Sequence, residues 1–106
     1  MVARFERIQP STVILRYMKK VTVTIPWREG LHLRPAVELV KLAKTFRSNI
    51  SLQCGSKFAD ARSVLSVMLL CASMGTVLSV EAHGEDEQQA VEAVESVFAT
   101  DVKKLL

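Results

Sequence analysis

The heptapeptide Gly30-Leu31-His32-Leu33-Arg34-Pro35-Ala36 holds the residue types best suited to chemistry in this chain. Imidazole is a nucleophile when neutral, and a guanidinium offers a planar fork of donors to anionic oxygens. Gly30 gives a loose hinge before the histidine, and Pro35 pre-sets helical φ just after it. His32 therefore belongs where an extended segment winds into a helix. Backbone N–H groups are unpaired at such a terminus and the helix dipole is positive there, so phosphate binds readily. The expectation is a site that carries a phosphoryl group on His32. The amides of Leu33 and Arg34 would receive its oxygens, Arg34 would add a permanent charge, and Pro35 has no N–H to give.

The elements that must position this heptapeptide are legible on either side of it. Val21, Val23 and Ile25 alternate with Thr22 and Thr24, the period of a half-buried strand, and Pro26 stops it. Trp27-Arg28-Glu29-Gly30 then reads as a loop. From Leu33 to about Phe46, Ala36, Leu39, Val40 and Ala43 fall at i, i+3, i+4 and i+7, which predicts a helix with one buried face. Ile50 and Leu52 mark a short strand, and Gly55-Ser56 turns the chain into Lys57-Phe58-Ala59-Asp60. Ser63 reads as the cap of a short apolar helix from Val64 onward, ended by Gly75, and periodicity alone fits a buried strand as well. Val77 to His83 reads as a strand. Asp86, followed three residues on by Gln89, resembles a capping box ahead of the stripe Ala90, Val91, Val94, Val97 and Phe98. The order β-α-β-β-α-β-α predicts an α+β domain with helices on one face of a mostly antiparallel sheet.

Composition narrows the function classes. At 106 residues the chain makes one domain, and 49% hydrophobic with 24% charged residues is ordinary globular usage. No apolar run reaches the roughly 18 residues that cross a bilayer, and the charged start lacks a secretory core, so a cytoplasmic protein is expected. The net charge of +3 is concentrated at the start, where residues 1–20 hold five basic residues against Glu6. The rest has nine basic and ten acidic residues, so no broad nucleic-acid footprint is expected. Cys54 and Cys71 lack metal or redox spacing and read as buried or inert thiols. His83 reads as a surface histidine with no metal partner, and Glu85-Asp86-Glu87 as complement to a helix dipole. No cofactor and no metal are expected.

Three separated segments, residues 30–36, Arg62-Ser63-Val64-Leu65 and Gly84-Glu85-Asp86-Glu87, together resemble the HPr family over about residues 20 to 102. These are the histidine-containing phosphocarriers of the bacterial phosphoenolpyruvate-dependent phosphotransferase system. The resemblance implies an open-faced β-sandwich, a four-stranded antiparallel sheet covered on one face by three helices. It implies that His32 takes a phosphoryl group from enzyme I at Nδ1 and passes it to an enzyme IIA-type acceptor, with Arg34 assisting. Such a protein is a covalent relay and not a turnover enzyme.

Val64, Leu65 and Met68, at i, i+1 and i+4, form one apolar patch that fits a core as well as a surface. The resemblance makes it the docking surface for partners. It also matches Ser63 to a position that an HPr kinase modifies in some members. The alternative is a nitrogen-branch or catabolite-regulatory paralogue that works by phosphorylation-dependent binding, with a transcriptional regulator as partner. Leu33 departs from the usual Thr, Ser or Ala, and Ser66 and Cys71 stand where sugar-branch members commonly have Gly. Residues 1–19 read as an N-terminal extension, with an extra strand around Thr12 to Met18 or a start at Met18 as alternatives. Residues 103–106 read as a tail.

Overall fold

The computed structural model describes residues 18–105. The expectations for residues 1–17 lie outside the described residues. Four strands and three helices follow in the expected order: β1 (Met18–Thr24), α1 (Leu33–Ala43), β2 (Asn49–Cys54), β3 (Lys57–Asp60), α2 (Val64–Met68), β4 (Val77–His83) and α3 (Glu87–Leu105). The strands form one antiparallel sheet in the order β1-β4-β2-β3. The last strand in sequence thus lies between the first and second. Its Val80 pairs with Val21 on one side and Leu52 on the other, setting β1 and β2 in register about it.

Period-two patterning fixes which face is covered. Val23, Ile25, Ile50, Leu52, Ala59, Leu78, Val80 and Ala82 are buried towards the helices. Ala36, Leu39, Val40 and Ala43 of α1 meet them, as do Val67 of α2 and Ala90, Val91, Val94 and Phe98 of α3. The opposite face carries no helix among the described residues, and Phe58 and Val77 are exposed there. This is the expected open-faced sandwich.

Several boundaries differ from expectation. Strand β1 opens at Met18, ahead of Val21, and α3 runs to Leu105 through the segment read as a tail. Helix α1 stops at Ala43, before Phe46. The carbonyls past its end turn to another partner: the Arg62 guanidinium donates to Phe46 O at 3.0 Å and Ser48 O at 3.1 Å. Trp27, read as a loop residue, is only 6% exposed and belongs to the core. Cys71 is exposed, and its φ of 51° lies in the left-handed region. That conformation costs a side-chain-bearing residue roughly 1–2 kcal/mol and costs glycine little. A glycine preference at this position in related chains has its physical reason there.

The start of α3 also differs from the capping box read from Asp86 and Gln89. Glu87 reaches back instead, its Oε1 accepting from the Gly84 N–H at 3.0 Å. Asp86 is drawn across to the loop after α1, where its carboxylate accepts from the Arg47 and Ser48 amides, both at 2.9 Å, and from the Ser48 hydroxyl. The backbones pack so closely here that a Cβ on Gly84 would come within 2.7 Å of Ser48 Cα. The Ser48 hydroxyl, then the Arg47 amide, hold the Asp86 carboxyl below the usual carboxylate range.

Candidate functional site

His32 is the N-cap of α1, with extended backbone at φ −91° and ψ −174°. The approach to it is fixed by a chain of backbone bonds. Gly30 N–H closes a turn on Trp27 O at 2.9 Å, and Leu31 N–H reaches Ala72 O at 2.8 Å. Gly30 is needed for two reasons: its φ is +76°, and a Cβ there would stand 2.5 Å from Ala72 O. The Gly30 carbonyl then accepts from both the backbone N–H and the Nδ1 of His32, each at 2.8 Å. A carbonyl only accepts, so Nδ1 is the donor in this contact, and a neutral ring so held has its lone pair at Nε2.

The helix behind His32 starts without a side-chain cap. Its first intrahelical bond runs from Ala36 N–H to His32 O at 3.1 Å, so the amides of Leu33 and Arg34 precede the ladder. Its first turn contains no acidic residue and does contain Arg34, a cation at the positive end of the dipole. That arrangement is unfavourable until an anion arrives. Arg34 is exposed and joins no ion pair among the described residues. His32 is half-buried, and it opens with Arg34, Glu29 and Glu38 onto a groove of about 770 Å³ between α1 and α3. The ring is reachable and an incoming anion has room.

The expected docking patch is only partly exposed. Leu65 is 69% exposed, whereas Val64 and Met68 are half-buried and pack against the core. Leu69, one turn on from Leu65, is 62% exposed, and Leu33 is 59% exposed at the start of α1, which packs on α2. Sequence reading missed Leu69 because the run from Val64 to Leu70, broken only by Ser66, does not mark which apolar residues face outward. Ser63 accepts from Ser66 N–H at 3.1 Å through its hydroxyl, the expected cap of α2. Ser66 in turn accepts from Asp60 N–H at 3.0 Å. His83, partly exposed, lies 3.6 Å from Glu81 at the far end of β4.

A family model described as the PTS HPr component phosphorylation site matches residues 19–100. This chain belongs to the HPr family. The HPr of Haemophilus influenzae is 46% identical over 71 residues, covering 67% of this chain and 84% of that protein. The HPr of Buchnera aphidicola is 38% identical over 87 residues, covering 82% of this chain and 99% of that protein. An HPr crystal structure from Thermoanaerobacter tengcongensis superposes with a TM-score of 0.76 at 34% identity, over 80% of this chain and 96% of that one. The chain is a phosphocarrier of the phosphotransferase system. No helix among the described residues is long and apolar enough to cross a membrane.

Proposed function

We propose that His32 is the residue on which this phosphocarrier holds its phosphoryl group, taken from phospho-enzyme I and passed to an enzyme IIA-type acceptor in the cytoplasm. The observation that carries the reading is the uncapped start of α1, with a reachable imidazole beside two amides outside the helical ladder and, in the first turn, an exposed Arg34 in no ion pair among the described residues. The ring's lone pair attacks phosphorus in line, a nitrogen–phosphorus bond forms, and the bond to the donor breaks with its electron pair leaving on the donor. The transferred oxygens meet the Leu33 and Arg34 amides and the Arg34 guanidinium, and charge on them is met by the helix dipole. Because these are mostly backbone donors, Leu33 can stand where smaller residues are usual. Onward transfer reverses the same steps on the acceptor.

The HPr resemblance implies attack through Nδ1. In the resting geometry that atom is engaged by Gly30, so the ring must let go of the carbonyl and move its proton to Nε2 first. One exchanged hydrogen bond costs roughly 1 kcal/mol, small beside a phosphoryl-transfer barrier. Leu65 and Leu69, exposed on the helix packed against α1, supply the apolar contact for the partners. Incubation with enzyme I and phosphoenolpyruvate should add one acid-labile phosphoryl group. A His32→Ala protein that labels as well as the parent would overturn the assignment.

A further inference from the structure

Trp27 lies five residues before His32, and no part of the reading above uses its side chain. It is the only tryptophan in the chain, it is buried, and its ring stands edge-on to the imidazole at 6.4 Å between centroids and 77° between planes. On its other side it packs against Phe98 of α3 at 5.2 Å, tilted by 40°. We propose that Trp27 is a positioning residue for phosphoryl transfer, the wall that holds the His32 ring in its reactive orientation and ties that orientation to α3.

The geometry gives the ring two restraints of different kinds. Gly30 holds one edge through Nδ1, a directional bond that can open. Trp27 supplies a rigid apolar surface that limits where the ring goes when that bond opens. An aromatic edge contact at this separation falls in the range where such pairs have a preferred geometry. Trp27 is itself held by its neighbours: its carbonyl accepts the Gly30 amide at 2.9 Å, and Phe98 is only 3% exposed. The charged groups facing the same groove are Glu29, Arg34 and Glu38. None of them supplies a surface of this shape. A flexible imidazole must be aligned with the phosphorus–donor axis, and small misplacements are costly in rate.

This inference rests on His32 being the phosphoryl acceptor, and its test separates the two claims. Trp27→Leu and Trp27→Phe proteins are compared with the parent for thermal stability, for transfer from phospho-enzyme I at saturating donor, and for the His32 ring-nitrogen signals by NMR. Trp27→Leu should slow the saturated transfer step about tenfold while KM for the donor stays within about twofold. Its His32 ring signals should shift and broaden, as a ring sampling several orientations requires. Trp27→Phe should keep the parent's ring signals and recover most of the rate. A Trp27→Leu protein that melts earlier but keeps the parent's rate and ring signals would overturn the proposal, leaving Trp27 as core alone. If Trp27→Leu does not fold, Trp27→Met takes its place, and a folded Trp27→Met protein with the parent's rate and ring signals would equally overturn the proposal. Failure of the parent itself to accept phosphate rejects the His32 reading, and the ring-signal comparison still scores the Trp27 contact.

Discussion

The starts of α1 and α2 are built from the same backbone and finished in opposite ways. At α2, Ser63 turns its hydroxyl onto the Ser66 amide, and Ser66 reaches on to Asp60, so the helix start is closed by local hydrogen bonds. At α1, the N-cap residue is His32, whose side chain turns away to Gly30 and leaves the first amides without a side-chain acceptor. A serine in the same place would be the stabilising choice. Arg34 adds to the contrast, since a cation in the first turn opposes the dipole. In the function proposed above, the open terminus is the one that the phosphoryl group completes. On that proposal stability is given up where an anion is to be received, and kept where the helix only has to hold its place.

Closing the open terminus should have the largest effect. His32→Ser places a capping hydroxyl at the start of α1, removes the nucleophile, and should abolish labelling by enzyme I and phosphoenolpyruvate. Its stability in urea should stay within about 1 kcal/mol of the parent, because the new cap offsets the lost contacts of the ring. Arg34→Ala should slow transfer about 10- to 100-fold, the scale of a lost charge-assisted hydrogen bond, measured in single-turnover transfer from phospho-enzyme I. The same protein should be as stable as the parent or slightly more so. At the closed terminus, Ser63→Ala should cost about 1 kcal/mol in denaturant and leave His32 labelling unchanged.

The smallest effect concerns the third helix start. Asp86 there has its carboxyl lowered by the Ser48 hydroxyl and the Arg47 amide. A carboxyl lowered in the folded state stabilises above its unfolded value of about 3.9 and loses that contribution as pH falls through the folded one. Asp86→Asn should therefore be less stable than the parent at pH 7. The gap should narrow as the pH drops below about 4, followed by thermal melts across that range.

The periodic parts of this fold were readable from residues alone. Alternation in Val21 to Ile25 and Val77 to His83, and the helical stripe from Ala36 to Ala43, each reports a local preference reinforced by burial on one face. The backbone of the candidate site was readable because Gly30, His32 and Pro35 set its geometry within a few residues of each other. What stayed hidden depends on contacts across the chain. Asp86 binds a loop 38 residues away, so its local spacing to Gln89 pointed to the wrong partner. Arg62 straps the carbonyls of Phe46 and Ser48, a role no pattern around Arg62 encodes. Trp27 sits among loop-forming residues, and only the packing of α3 through Phe98 turns it into core. On α2, which residues face outward is decided by where α1 lies, and Leu69 was missed for that reason.

The account's central claim is that the phosphoryl oxygens complete the start of α1. It is tested most directly by following the backbone amide signals of the protein, residue by residue, before and after phosphorylation by enzyme I and phosphoenolpyruvate. The amide protons of Leu33 and Arg34 should move strongly downfield, as new hydrogen bonds to an anion require, while that of Ser66 stays in place. A fully phosphorylated protein in which Leu33 and Arg34 do not shift, or in which the largest change falls on α2, would contradict it.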